Sequence, residues 1–542
     1  MIATLLLLAL SLRGTESVPD GFIRAKGLKF VDKDCKEFMY SGWNSGELLD
    51  SAAGSKRSAL RPGEDTSHWG DMTEVEWLMS ESVKAGMTVG RIFGHGQSND
   101  SLVLQAGPGS YFDKALEALD TVIAEAADAG VKLIITFGDN WRSSDSKAVY
   151  AGWAGVDVED FFTNKWIRKL YKDHIVFMLN RVNSVTGVKY KDDPTIFAWN
   201  IMNEPRCACS VKRDPTSKSC DPACGDDLQA WIEDMAEHIK SHSPIQMLTV
   251  GEEGFYRKGP NVVNNPDKQG NPGSGEEKFL PNGWPDLLDE WAFRQGQDFY
   301  ENHAMPTIDY GAMHMWPDNW AALDISFQEL WIKIHVDDAI RMDKPVTLQE
   351  FGKEASQDTP PSRSIERDPF FRSAFDQFAK LRKDTPLKGI GFWLFDTRNG
   401  RPAEPLDVRT DHSTFTDIIS PEGNKLLEEL ETLPEVEDCM PGETRSYDTV
   451  SVDGEVFITS GRHLVAQDEG ESVGEAKAGV TEEECGKACL DEEKCSSFAY
   501  MPKEKACQLQ TGKVGNVAWS PDGWQTYWLH DEESKKPAGT TG

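Results

Sequence analysis

Short apolar runs alternate with helical patterns along most of the chain. Eight of these runs are apolar on both alternating faces and are bounded by turn residues, which is the pattern expected of strands buried on both sides of a sheet. The runs are 37–43, 87–93, 131–138, 195–204, 246–251, 309–316, 345–350 and 388–395.

Amphipathic helical patterns separate the strands. The clearest is 112–129, where Leu116, Leu119, Ile123 and Ala126 form one apolar stripe and a glycine follows as a stop. The other predicted helices are 74–85, 160–182, 226–241, 286–303, 323–341, 366–383 and 420–432. Eight strands, each followed by a helix, predict a (β/α)8 TIM barrel in the α/β class. An open doubly wound sheet is the main structural rival, but no glycine-rich phosphate loop follows the first strand.

The barrel pattern ends at residue 432. We predict a barrel domain over 18–432, a linker over 433–445 and a small disulfide-rich α+β domain over 446–530. The tail 531–542 is polar and has the composition of a disordered segment. The glycine-, proline- and asparagine-rich stretch 257–284 predicts a long loop after the fifth strand, at the end of the barrel where active sites are built.

Residues 1–17 have the apolar run of a secretory signal peptide, and this run is too short to span a bilayer. Acidic residues outnumber basic ones by 90 to 57, which gives a net charge of −33. Such a surface repels nucleic acid and anionic lipid. We therefore expect a secreted protein that binds neither nucleic acid nor membrane, and nothing in the sequence demands more than a monomer.

The chain contains ten cysteines. In an exported protein an even number of cysteines favours disulfides. The group Cys207, Cys209, Cys220 and Cys224 has spacings that also occur in zinc sites, but no histidine is nearby, so disulfides are the preferred interpretation. We expect the loop 207–224 to be stapled by disulfides. Cys439 has two possible partners, Cys35 or a cysteine of its own domain, and the sequence does not choose between them.

Polar residues recur at the carboxyl ends of these otherwise apolar strands, which is where barrel enzymes carry their chemistry. Glycoside hydrolysis needs a pair of carboxyl groups, because one must donate a proton while the other stays ionised. Glu204 and Glu350 end the fourth and seventh strands and are the candidate pair. The residues expected to support them or to line the cleft are Arg91, Asn140, Trp141, Asn203, His314, Trp316 and Trp393.

Each of these residues has a simpler explanation when taken alone. A strand-end glutamate is more often an ion-pair partner, and a lone tryptophan or histidine is more often part of the core. Their recurrence at one end of successive strands is what favours a site. Arg91 is positioned to keep a neighbouring carboxylate ionised. Asn203 is a candidate hydrogen-bond partner for a sugar 2-hydroxyl, and the indoles offer flat faces for pyranose rings.

Several stretches resemble the plant-type endo-β-mannanases of glycoside hydrolase family 5. They are YSGWNSGELLD at 40–50, DNW at 139–141, YKDDPTIFAWNIMNEPRC at 190–207, VGEEGFY at 250–256, HMWPDNW at 314–320 and KPVTLQEFG at 344–352. The likeness covers about 22–432. The Asn-Glu-Pro-Arg segment is the most specific part, since Asn-Glu-Pro is widespread in the family whereas the mannanases continue with arginine.

The resemblance implies roles for the site residues. It implies that Glu204 is the acid/base, that Glu350 is the nucleophile and that Arg206 contacts sugar on the leaving-group side. Trp393 would form the floor beneath the sugar at the cleavage point. Members of this family carry tyrosine two residues after the histidine, whereas this chain has Trp316, so the hydrogen bonding of the nucleophile is in question.

The C-terminal cysteines lie in a segment that resembles the PAN/apple module. By that resemblance Cys485 pairs with Cys507 and Cys489 with Cys495, and the module binds carbohydrate or protein. The sequence as a whole predicts a retaining endo-β-1,4-mannanase that acts on β-mannan polysaccharide without a metal or organic cofactor. A β-1,4-glucanase is the rival with the same chemistry, and a carbohydrate-binding or adhesion protein without activity is the rival from another class.

Overall fold

A computed structural model describes most of the barrel and the strands of the C-terminal unit. The described residues are 20–53, 72–94, 103–141, 146–207, 224–256, 292, 295–320, 324–355, 364–396, 404–436, 439 and the strands between 448 and 529. The chain divides into two compact units, a larger one that spans 19–441 and a smaller one that contains 442–542. Among the described residues, no helix combines the length and the apolar character needed to cross a bilayer.

Eight parallel strands form the centre of the larger unit. In chain order the barrel strands are Tyr40–Ser45, Met87–Phe93, Lys132–Thr136, Ile196–Asn200, Met247–Thr249, Gly311–Met315, Val346–Phe351 and Leu387–Phe392. Each of these strands overlaps one of the eight apolar runs selected from the sequence. Their side chains are almost all buried on both faces, as the continuous apolar runs predict.

The strands follow one another around a closed ring. The first strand pairs in parallel with both the second and the eighth, and the remaining ladders run in chain order. The fifth and sixth strands complete the ring, because Asp309 N donates to Leu248 O at 2.9 Å and His314 N donates to Glu253 O at 3.0 Å. The TIM barrel is thereby confirmed and the open sheet excluded.

Helices surround the barrel at the predicted places. The larger helices are Met72–Lys84, Asp113–Ala129, Lys165–Asn180, Cys224–His242, Ile325–Met342, Asp368–Leu381 and Ser420–Leu430. The predicted stripe of Asp113–Ala129 is buried, and Gly130 ends that helix in the left-handed conformation with φ of 75°. Of the predicted helix 286–303, the structure has a helix at Phe299–Ala304. The prediction was wrong for 296–298, which are not helical, and most of the remainder lies outside the described residues.

A small antiparallel sheet closes the amino-terminal end of the barrel. Its strands are Arg24–Lys26, Lys29–Val31 and Glu37–Phe38. Phe30 packs edge-on against Phe197 and Tyr310, with ring centroids 5.3 and 5.2 Å apart. The predicted run 37–43 was therefore wrong at its start, because its first two residues belong to this sheet and the barrel strand begins three residues later. Because this sheet closes the amino-terminal end of the barrel, a functional site is expected at the carboxyl end.

Two disulfides are present among the described cysteines. Cys35 bridges Cys439 across 404 residues, with a Cα–Cα distance of 5.7 Å. This bridge decides between the two partners that the sequence left open, and it ties the segment after the last helix to the amino-terminal sheet. Cys207 bridges Cys224, so the loop between them is stapled at both ends as predicted. Cys209 and Cys220 lie outside the described residues.

The C-terminal unit is described by its strands. Six strands form an antiparallel sheet, Asp448–Val452, Glu455–Thr459, Lys477–Ala478, Ser497–Met501, Ala506–Gln510 and Gln525–Leu529. A further pair joins Leu464–Ala466 to Val517–Trp519. The predicted pairings Cys485–Cys507 and Cys489–Cys495 rest on side chains outside the described part and stay predictions.

Candidate active site

Two buried carboxylates face one another at the carboxyl end of the barrel. Glu204 is 6% exposed and Glu350 is 4% exposed. One oxygen of each carboxylate and a ring nitrogen of His314 all lie within 4.8 Å of one another. The fourth, sixth and seventh strands, which are distant in sequence, thus bring together three of the side chains that the strand-end argument selected.

A β-bulge turns Glu350 into the barrel. Met313 on the sixth strand pairs with Leu348, but the next residue, His314, pairs with Glu350, so Gln349 has no residue opposite it. Leu348 and Phe351 pack outward in the apolar layer, whereas Gln349 and Glu350 both point inward to polar partners. Regular alternation would send Glu350 outward; the extra residue redirects it.

Glu204 is held in a backbone conformation that residues other than glycine adopt infrequently. Its φ is 46°, in the left-handed region. Its N–H donates to Gly251 O at 2.8 Å, and the N–H of Asn203 donates to Gly138 O at 2.8 Å. These two bonds fix the segment between the third and fifth strands, so the surrounding backbone maintains the strained conformation that aims the carboxylate.

Arg91 connects the two halves of the site. Its NH1 donates to Glu350 Oε2 at 2.6 Å and to Asn44 Oδ1 at 3.1 Å, and its NH2 donates to Asn203 Oδ1 at 2.7 Å. Asn203 in turn donates to Asp139 Oδ1 at 3.0 Å. Burial raises the pKa of Glu350 above its ordinary value, and the positive charge of Arg91 opposes that rise.

Trp316, which stands where the resembling family has tyrosine, does hydrogen-bond Glu350. Its indole Nε1 donates to Glu350 Oε1 at 3.0 Å. Together with Arg91, it gives each oxygen of this carboxylate one donor. Trp393 is partly buried and packs edge-on against Trp316, with ring centroids 6.3 Å apart. The two indoles form one aromatic wall beside Glu350.

Glu204 also has a partner at each oxygen. Trp141 Nε1 donates to Oε2 at 2.6 Å, and His314 Nδ1 lies 2.8 Å from Oε1. Burial raises the pKa of Glu204, while Arg206 and the Trp141 hydrogen bond lower it. Burial also lowers the pKa of His314 to about 4, which keeps this ring neutral at ordinary pH.

Arg206 lies beneath the exposed indole of Trp141. Its guanidinium carbon is 4.9 Å from the Trp141 ring centroid, and its Nε donates to Glu253 Oε1 at 2.7 Å. The N–H of Arg206 donates to the side chain of Asn140 at 3.3 Å. Trp141 is 46% exposed, so this cluster presents an aromatic face to solvent beside Glu204.

Three residues of the site were missed by reasoning from the sequence. Asn44 is the last residue but one of the first strand and was signalled by the same polar strand-end rule that found the others. Glu253 follows the fifth strand; burial raises its pKa to about 7, and Arg206 opposes that rise. Gln349 had no signal, because on a regularly alternating strand it is a barrel-interior residue of no special chemistry.

The arrangement suits proton transfer and nucleophilic attack. Among the described residues, the group of three side chains with metal-ligand spacing is Glu204, His314 and Glu350. All four carboxylate oxygens of this group already have a partner, and the Arg91 cation occupies one of them. The site is therefore built as one carboxylate beside a cation and a second beside a neutral imidazole, two environments that suit different protonation states.

The chain matches known families over both of its units. The model of the GH family 5 β-mannosidase-like proteins matches residues 20–259 and 277–415, and the PAN domain model matches residues 462–526.

Curated relatives and solved structures agree with this match. Mannan endo-1,4-beta-mannosidase 1 of Arabidopsis thaliana is 31% identical over 424 residues, which are 76% of this chain and 91% of the relative. The rice (Oryza sativa subsp. japonica) mannan endo-1,4-beta-mannosidase 1 is 31% identical over 69% of this chain and 78% of its own length. The crystal structure of an endo-1,4-beta-mannanase from Rhizomucor miehei superposes with a TM-score of 0.56 at 26% identity, covering 75% of this chain and 99% of that one.

The family match, the plant relatives and the shared barrel agree with the site geometry. This chain belongs to glycoside hydrolase family 5, among its β-mannosidase-like members, and carries a C-terminal PAN domain.

Proposed function

We propose that this protein is a retaining endo-β-1,4-mannanase that cleaves internal bonds of mannan, glucomannan or galactomannan. The observation that carries the proposal is the close approach of the buried Glu204 and Glu350 carboxylates, since one oxygen of Glu204 lies within 4.8 Å of one oxygen of Glu350. Retaining glycosidases keep their carboxyl groups about 5–5.5 Å apart, whereas inverting enzymes need about 6.5–9.5 Å to admit a water molecule. The short separation supports a covalent intermediate.

In the first step Glu350 attacks the anomeric carbon. Its two donors, Arg91 and Trp316, favour the ionised form that attack requires. Glu204 gives its proton to the glycosidic oxygen, so the leaving chain departs as a neutral alcohol while a sugar–Glu350 ester forms. In the second step Glu204, now ionised, removes a proton from water. The water oxygen bonds to the anomeric carbon and Glu350 leaves as a carboxylate.

The remaining site residues hold the sugar. We assign Asn203 to the 2-hydroxyl, Trp393 to the floor beneath the sugar at the cleavage point, and Trp141 with Arg206 to the leaving-group side. The partly buried face of Trp393 and the exposed face of Trp141 support these roles, since flat apolar rings pack well against pyranose faces. Two carboxylates and water suffice for this chemistry, so it requires no metal or organic cofactor.

The substrate class rests on the relatives. The plant proteins that this chain resembles are named as mannan endo-1,4-beta-mannosidases, and the similar fungal structure is an endo-1,4-beta-mannanase. We further propose that the protein is secreted, in keeping with the two disulfides among its described residues. It would act as a monomer, with a PAN module that binds carbohydrate or protein.

The test is release of reducing sugar from linear mannan and from a soluble β-glucan, for the wild type and Glu350→Ala. The proposal predicts release from mannan, lost in the variant, and oligosaccharide products whose new ends are first formed in the β configuration, which NMR reads directly. Release mainly from glucan would keep the mechanism and overturn the substrate. Binding of either polysaccharide without release would overturn the assignment as a hydrolase.

A further inference from the structure

The tautomer of His314 depends on the groups that face its two ring nitrogens. A neutral imidazole has one N–H, so one ring nitrogen donates and the other accepts. His314 is fully buried, with Nδ1 lying 2.8 Å from Glu204 Oε1 and Nε2 lying 3.4 Å from the end of the Gln349 side-chain amide. The orientation of that amide therefore decides the tautomer.

The neighbouring Asn200 fixes the orientation of the Gln349 amide. Both ends of the Asn200 amide have a partner when its nitrogen donates to Met202 O and its oxygen accepts from Gly251 N. Each of these two distances is 3.2 Å. The Asn200 oxygen then lies 3.1 Å from the same Gln349 atom that faces His314. An oxygen needs a donor at that distance, so this Gln349 atom is the amide nitrogen. The other end of the Gln349 amide interacts with the Tyr310 hydroxyl, which can donate to the amide oxygen in this orientation.

We propose that Gln349 is a positioning residue: its amide N–H donates to His314 Nε2 and thereby keeps the ring proton of His314 on Nδ1, facing Glu204. The bulge at Gln349 makes this contact possible, because it lets Gln349 and Glu350 point into the barrel from successive positions. The seventh strand thus supplies both the proposed nucleophile and the residue that orients the partner of the acid/base.

The consequence concerns where Glu204 carries its proton. If His314 Nδ1 always donates, Glu204 Oε1 always accepts, and the acidic proton of Glu204 is confined to Oε2. That oxygen lies on the side of Trp141, whose indole is nearly half exposed and marks the open cleft. Gln349 acts through His314 to keep the proton on the oxygen that faces the leaving group. This inference rests on the proposed role of Glu204 as acid/base.

The tautomer is measured by NMR on the full-length protein labelled with ¹⁵N-histidine, without substrate. The chain has eleven histidines, and His314→Asn assigns the signal. The charged and titratable groups that act on His314 are Glu204, Glu350, Arg91 and Glu253. In the wild type we expect a proton on Nδ1 and a bare Nε2 at every pH at which the ring is neutral, including pH values at which Glu204 is protonated.

The variant Gln349→Met keeps the length of the side chain and removes the donor. When Glu204 gains its proton, this variant should shift the ring proton to Nε2, because the Glu204 O–H then donates to Nδ1 unopposed. Its kcat on mannan should fall about tenfold with KM little changed, as expected for loss of one orienting hydrogen bond. Thr347→Val is the matched control, since Thr347 is buried on the same strand and its hydroxyl interacts with Tyr40 rather than with His314 or the two carboxylates.

Two results would overturn the proposal. One is a wild-type ring proton on Nε2, and the other is a tautomer in Gln349→Met that stays on Nδ1 across the same pH range. Both are read without substrate, so they are separate from failure of the hydrolase assignment, which appears as absent sugar release from wild-type protein.

Discussion

The indole nitrogen of Trp316 donates to Glu350 Oε1 at 3.0 Å, opposite the Arg91 bond to Oε2. The indole thereby places a neutral donor on the carboxylate of the proposed nucleophile, as a tyrosine hydroxyl at this position could also do. Neutral and charged donors both favour the ionised form, but a neutral one does so without adding charge to the site.

Removing that donor should change the pH dependence of catalysis. The Trp316 hydrogen bond lowers the pKa of Glu350 against the rise caused by burial. Trp316→Phe should therefore raise the pKa of Glu350, so that the acidic limb of kcat/KM on soluble mannan moves to higher pH. We expect kcat to fall about tenfold, as for loss of one hydrogen bond to a charged group.

Trp316→Tyr is the matched variant, because it replaces the indole donor with a hydroxyl donor. Its acidic limb should stay near that of the wild type. If Trp316→Phe leaves the acidic limb where it is in the wild type, the indole does not set the ionisation of Glu350.

Trp141→Phe should move the alkaline limb of the pH dependence of kcat/KM. The Trp141 hydrogen bond lowers the pKa of Glu204, although burial raises it overall. Loss of the donor raises that pKa further, so Glu204 keeps its proton to higher pH and the alkaline limb of kcat/KM moves upward. Phenylalanine keeps an aromatic face above Arg206. The control is Trp166→Phe on the outer helix Lys165–Asn180, which should leave both limbs unchanged. A downward shift in Trp141→Phe would contradict the prediction.

The barrel was predictable because its strands are buried on both faces and therefore read as continuous apolar runs. The site was predictable because polar side chains recur at the carboxyl ends of those runs, where barrel enzymes carry their chemistry. That rule found Glu204, Glu350, Arg91 and His314, and it would have found Asn44 had it been applied to the first strand.

What the sequence did not reveal depends on details of the backbone. Period-2 alternation places Gln349 and Glu350 on opposite faces, and only the bulge brings them to the same one. The left-handed φ of Glu204 likewise has no local sequence signal, since glutamate rarely adopts it. The partner of Cys35 lies 404 residues away, a distance over which local patterns carry no information.

Replacing the proposed acid/base should make activity depend on the leaving group. Glu204→Ala should lower kcat on mannan by about 10²–10⁴-fold, because the glycosidic oxygen then leaves without a proton. Aryl β-mannosides with acidic phenols need no such proton, so the first step on them should be nearly unaffected and a burst of phenol should appear. Added azide should accelerate turnover and give a β-mannosyl azide. Equal losses on mannan and on the aryl substrate would argue that Glu204 does not supply the proton.

Glu253 should make the stability of the larger unit depend on pH. Burial raises its pKa from 4.5 to about 7, with the Arg206 ion pair opposing that rise. A carboxyl whose folded pKa lies above its unfolded value binds more protons in the native state between those two values. Native stability therefore falls as pH rises through that window and levels off above it, by roughly 3 kcal/mol from this group.

Glu253→Gln removes the titration, so its unfolding midpoint temperature should fall less than that of the wild type between pH 4.5 and 7. Above about pH 7 the variant is expected to be less stable, since Arg206 there loses its ionised partner. The prediction itself concerns only the slope of stability between pH 4.5 and 7. Exposed Glu117→Gln on the outer helix Asp113–Ala129 should keep the wild-type slope. A wild-type slope in Glu253→Gln would mean that the Arg206 charge holds Glu253 ionised throughout, and that the ion pair outweighs burial.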